Sequence, residues 1–137
     1  MSLPSVLLVV TDTGGGGAEL IVRQIASLGS KDFNYKVLYF KNSVNRDLED
    51  NEMCLNIRWL WNPLSIIRIL LLIRHYSYLG YNVIHAHLAH PLYLCALAPV
   101  KNGTKKVFTE HNTWNRRRRT LLKRFFQASM SQPEGRR

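Results

Sequence analysis

The stretch VLLVVTDTGGGGAEL, residues 6–20, decides the fold. Val6 to Val10 is an unbroken apolar run, the pattern of a strand covered on both faces. Gly14, Gly15, Gly16 and Gly17 follow, and then Ala18 to Leu28 places Ala18, Ile21, Val22, Ile25 and Ala26 on one helical face. Gly29 supplies the stop. Strand, glycine loop and helix in that order form the first half of a parallel β-α-β unit.

The rest of the chain continues the alternation. Lys36 to Phe40 reads as a second strand, residues 41–56 as polar and irregular, and Ile57 to Leu60 as a short apolar segment. Pro63 suits the first turn of a helix running to about Tyr78. Tyr81 and Asn82 read as a turn, Val83 to Leu88 as a third strand, and Pro91 to Val100 as a short helix. Asn102 and Gly103 read as a turn and Lys106 to Glu110 as a fourth strand, and a basic helix is expected from Asn115 to about Gln127. There is no internal repeat. The expected class is α/β, a Rossmann-like parallel sheet with helices on both faces, whose ligands bind outside the carboxyl ends of the strands.

Composition sets the limits. The chain has 137 residues, 46% of them apolar, with 19 Lys and Arg against 9 Asp and Glu for a net charge of +10. That length supports one core and not two complete domains. Residues 1–114 hold 11 basic and 8 acidic side chains, whereas residues 115–137 hold 8 basic and 1 acidic, so the excess belongs to the tail. The domain is expected over residues 1–126 and a polar, disordered tail over 127–137. Cys54 and Cys95 are single and widely spaced, which suits reduced thiols in a cytoplasmic protein. The N-terminus lacks the basic start of a signal peptide, and Ile66 to Ile73 is interrupted by Arg68 and closed by Arg74, too short to span a bilayer.

Four groups of residues fit site chemistry. Glycines at 14–17 let backbone amides approach a ligand at a helix N-terminus, which favours phosphate. Glu19 stands where a dinucleotide fingerprint needs its third glycine, and Gly-Lys-Ser/Thr is absent, so a plain flexible turn remains the alternative. His85 and His87, two apart on a strand, share a face, with His90 nearby. They read as polar contacts in a cleft, as buried satisfied histidines, or as metal ligands of a hydrolase. No aspartate follows residue 53 to complete a metallohydrolase set, so no metal is expected. Thr109, Glu110, His111 and Asn112 end an apolar strand in four polar groups, either at the crevice or as caps of the next helix.

Arg116, Arg117, Arg118 and Arg119, with Lys123 and Arg124, are backed by Leu121, Leu122, Phe125 and Phe126. Arginines at a helix N-terminus oppose its dipole, so helix stability does not explain them. A solvated face is one reading, and anionic lipid, a phosphorylated ligand or nucleic acid are the others. No nucleic-acid-binding signature accompanies the run, which favours lipid or ligand.

Three segments in this order, VLLVVTDTGGGGAELIVRQIASL, NVIHAHLAHPLYLCALAPV and KVFTEHNTWNRRRR, resemble the N-terminal domain of family 4 glycosyltransferases over residues 4–126. These are retaining enzymes of the two-domain GT-B fold, many of them building bacterial lipopolysaccharide, capsule or glycolipid. The resemblance implies hexosyl transfer from a nucleotide-sugar co-substrate to a glycan or lipid-linked acceptor, with no other cofactor and no nucleic-acid partner. It implies that Gly14 to Gly17 lie against donor phosphate and acceptor. His111 is placed at the transfer centre with Glu110 and Asn112 beside it, and His85 and His87 on the acceptor side. Arg68, Arg74 and Arg116 to Arg119 become contacts for an anionic membrane at the inner face of the cell. The family's donor-nucleotide domain is C-terminal and carries Glu-x7-Glu, a spacing that no pair of glutamates has in this sequence. A truncated or split form with little activity alone, served by a separate C-terminal half, is the expectation. The non-enzymatic alternative is a membrane-surface module that binds phosphorylated glycolipid.

Overall fold

The computed structural model describes residues 3–14 and 16–111. The apolar run becomes β1, Ser5–Asp12, and the glycine loop leads into α1, Gly17–Leu28. After a single 3-10 turn come β2, Asn34–Lys41, and β3, Glu52–Cys54, and then α2, Pro63–Tyr78. β4, Tyr81–His87, α3, Ala89–Leu97, and β5, Lys105–Thr109, complete the described elements. All strand pairs are parallel, in the order β3-β2-β1-β4-β5.

β1 is central and buried because both of its faces are covered. Leu7 and Val9 join Leu38, Phe40, Ile84, Ile69 and Ile73 beneath α2 and α3. Val6, Leu8 and Val10 join Val37, Tyr39, Val22 and Ala26 beneath α1. Helices therefore lie on both faces, as the alternation requires. Pro63 occupies the first turn of α2, where its missing N–H costs nothing, and the Asn62 side chain accepts the Leu64 amide at 3.1 Å. At its other end the chain turns through Gly80 at φ 100°, a conformation that only glycine adopts without strain.

The structure corrects the sequence reading at three places. Tyr81 and Asn82 are the start of β4 rather than a turn, since Leu79 and Gly80 already reverse the chain. α3 begins at Ala89, two residues before Pro91, and ends at Leu97. Residues 41–56 also contain β3, which extends the sheet beyond β2. Three residues headed by a glutamate carry no strand signal; backbone pairing with β2 and the bonds of the Glu52 side chain hold them. Glu52, only 2% exposed at its side chain, accepts from both terminal nitrogens of Arg46 at 2.7 and 2.8 Å, from the Tyr39 hydroxyl at 3.0 Å and from the Glu49 amide at 3.0 Å. Burial pushes the Glu52 carboxyl up, but the Arg46, Glu49 and Tyr39 hydrogen bonds outweigh it and leave the pKa lowered.

Candidate functional site

The strand order reverses between β1 and β4. The connections from β1 run outward on one side through β2 and β3, and β4 and β5 then lie on the other. The carboxyl ends of β1 and β4 thus form the switch-point crevice of an open α/β sheet. An open pocket of about 450 Å3 lies there, with Gly16, Gly17, Glu19 and Ile21 from the start of α1 on one wall. Leu88, just past β4, and His111, just past β5, line the other. Two parts of the sequence nearly a hundred residues apart, the glycine loop and His111, therefore meet at one site.

Gly16 is the N-cap of α1 and brings no capping side chain. A Cβ on Gly16 would meet only the end of the Glu19 side chain, which would have to swing aside. Glu19 in the first turn complements the helix dipole. Gly14 faces the neighbouring strand end instead. Its amide donates to Asp12 Oδ1 at 3.3 Å, and the Ser43 amide donates to the same oxygen at 2.9 Å. Burial raises the Asp12 pKa, and the hydrogen bonds from Ser43, Gly14 and Thr13 more than reverse that, leaving it lowered. The carboxylate so held fixes the loop entering the pocket. Gly15, Asn112 and Arg116 to Arg119 lie outside the described residues, as do the expected basic helix and tail.

Beneath His111 lies a file of imidazoles. His85 and His87 do share a face of β4, and the register of β5 sets Val107 opposite His85 and Thr109 opposite His87. His85 Nε2 is 2.7 Å from Thr109 Oγ1, and His87 Nδ1 is 2.8 Å from His111 Nε2. The His85 and His87 rings lie 4.1 Å apart, and those of His87 and His111 are nearly parallel, 13° apart with centroids at 5.1 Å, as rings joined edge to edge by that bond. His87 has no exposed surface and neither it nor His85 reaches the pocket lining; His111 alone of the three does. Burial, aided by His85 and His111, drives the His87 pKa down to about 3, and burial followed by His111 lowers that of His85. Both are therefore neutral imidazoles at neutral pH.

His90 does not join them; it packs edge-on against Trp61 at 5.7 Å. Among the described residues no three His, Cys, Asp or Glu side chains are grouped to hold a metal.

Leu88 is a site residue that the sequence reading did not single out. It joins His87 to α3 at φ 72° and ψ 170°, a conformation that side chains rarely adopt, while its amide donates to the Thr109 carbonyl at 3.3 Å. Backbone strain therefore sits at the mouth of the pocket. No residue type in HAHLAH announces it.

Residues 14–133 match the model of Glycosyltransferase Family 4. No curated protein matches the chain.

Proposed function

Because the chain belongs to glycosyltransferase family 4, as an N-terminal domain of that family, we propose that its switch-point pocket is the acceptor-side half of a sugar-transfer site. The reaction is retaining hexosyl transfer from a nucleotide-sugar to a glycan or lipid-linked acceptor of cell-surface polysaccharide synthesis. The bond between the anomeric carbon and the phosphate oxygen breaks, the acceptor oxygen bonds to that carbon on the same face, and the acceptor's proton passes to the departing diphosphate. The observation that carries this reading is the pocket itself, which the glycine loop and His111 line together.

In this proposal the amides at the start of α1 face the phosphate, where a helix N-terminus stabilises negative charge. His111 stands at the reacting sugar with Glu110 beside it, and His85 and His87 support it from the sheet. Stabilising the departing diphosphate is the largest electrostatic task of such a reaction, and in the family it falls mainly to the donor-nucleotide domain. Transfer by this chain is accordingly proposed to need a donor-binding half. Mixing it with such a half, a panel of nucleotide-sugars and lipid-linked acceptors should give labelled product. Absence of product across the panel, with association of the halves demonstrated, argues against the proposal.

A specific surface supports peripheral membrane contact. Leu64, Ile67, Leu71 and Tyr78 stand exposed along the outer side of α2, next to exposed Trp59 and Trp61. Arg74 lies 5.3 Å over the Tyr78 ring, and no acidic residue occurs between Glu52 and Glu110. Aromatic and aliphatic side chains among arginines fit the interface of an anionic bilayer. No helix among the described residues is long and apolar enough to cross a membrane. Sedimentation with anionic vesicles at low salt tests this face: Trp61→Glu with Leu64→Glu should release most of the bound protein, and undiminished binding overturns the assignment.

A further inference from the structure

The contact between His87 and His111 has only a few possible proton arrangements, and the surroundings of His87 select one. Two imidazole nitrogens 2.8 Å apart share a single proton between them. His87 Nε2, on the far side of its ring, is buried and has no hydrogen-bond partner among the described residues.

If His111 were the donor through Nε2, neutral His87 would accept at Nδ1 and carry its own proton on Nε2. That would bury an N–H with nothing to receive it, at the full desolvation cost of the group. If both nitrogens of His87 were protonated, a full charge would sit at a position with no exposed surface. The depression of the His87 pKa to about 3 speaks against that charged form. In the remaining arrangement His87 donates from Nδ1–H, and its buried Nε2 is a bare lone pair beside the His85 ring. His111 Nε2 then accepts, which leaves the His111 proton on Nδ1. That nitrogen has no partner among the described residues, and the side chain lines the pocket.

We propose that His87 is a positioning residue that holds His111 in its Nδ1–H tautomer, so that His111 meets the substrate as a fixed hydrogen-bond donor. This rests on the reading of His111 as the residue at the transfer centre. The group it addresses is an electron-rich oxygen of the bound donor or acceptor, either a phosphate or a hydroxyl oxygen. A general-base role is disfavoured by the same geometry. It needs a bare Nδ1 on His111, which places that residue's proton on Nε2, against the Nδ1–H of His87. The rest of the file keeps the donor aimed. The 2.7 Å contact of His85 with Thr109 and the 4.1 Å approach of His85 to His87 oppose rotation of the His87 ring, and the β4–β5 register fixes both strands.

The test is the tautomer itself. Long-range proton–nitrogen correlation spectra of the full chain labelled with 15N-histidine show which nitrogen of each ring is protonated, with the His111 and His87 signals identified from His111→Gln and His87→Asn. The expected spectrum has His111 and His87 both protonated on Nδ1; a His111 protonated on Nε2 overturns the proposal. Removal of the donor in His87→Phe should lose the single tautomer and introduce Nε2–H His111. His87→Asn, whose amide nitrogen falls near the place of Nδ1, should keep the Nδ1–H form. A residue that merely filled space would be replaced by phenylalanine without any change at His111, and that outcome also overturns the proposal. If His87→Phe does not fold, the wild-type and His87→Asn spectra decide. The spectra require no turnover. A protein with the expected tautomer but no sugar transfer would retain the lock and lose the transferase reading, and the reverse result would lose only the lock.

Discussion

Acid should destabilise this fold well above the carboxylate range, and His87 should be the main reason. The His87 pKa falls from 6.5 to about 3 on folding, so the unfolded chain takes up the proton first. A depressed folded value means that stability is complete above 6.5 and falls as pH drops toward 3. Integrating that difference from about pH 7.5 to about pH 5 gives a loss of about 2 kcal/mol from His87 alone. His85, also lowered, acts in the same direction. Asp12 and Glu52 do not confuse the measurement. Their folded values lie below the ordinary 3.8 and 4.5, so their stabilisation is present above those values and disappears only at lower pH. Urea titrations at the two pH values should show the wild-type midpoint falling by roughly 1 M, for a slope near 2 kcal/mol per molar. His87→Asn, which lacks a titrating ring, should lose about 2 kcal/mol less over the same interval. An equal fall in wild type and variant would refute a buried neutral His87.

Two further substitutions probe features that the site depends on. Arg46→Ala leaves the Glu52 carboxylate buried without its bidentate partner; the Tyr39 and Glu49 bonds and the 3.7 Å pairing with Arg23 remain, so a loss of about 2 kcal/mol is expected from the urea midpoint. Leu88→Gly and Leu88→Ala both remove the side chain beyond Cβ, but only glycine, without a Cβ, suits φ 72°. The glycine variant should be the more stable by about 1–2 kcal/mol, and equal stability would mean that the junction carries no strain.

The sheet was largely legible because its strongest signals are local. Val6 to Val10 is apolar at every position because β1 is covered on both faces, and Asn62 with Pro63 marks the start of α2 with residues that suit it chemically. β3 was not legible, since Glu52, Met53 and Cys54 have no strand pattern of their own and are set beside β2 by pairing with it and by the buried Glu52–Arg46 ion pair. The site was legible in part. Spacing placed His85 and His87 on one face, and Gly16, Gly17 and His111 fell at strand ends where ligands bind. The His87–His111 contact was not, because it depends on the register of β4 against β5, set by pairing across 24 residues of separation. The same holds for Leu88, whose backbone conformation is imposed by the turn from β4 into α3 and by its bond to the Thr109 carbonyl.

The most direct test of a transfer centre at this pocket is the initial rate of labelled sugar transfer by the chain with a donor-binding half, compared between wild type and His111→Ala. A transfer-centre His111 predicts a fall of roughly 100-fold or more in the variant, with the urea midpoint showing that the fold is retained. Transfer by His111→Ala at the wild-type rate would contradict it.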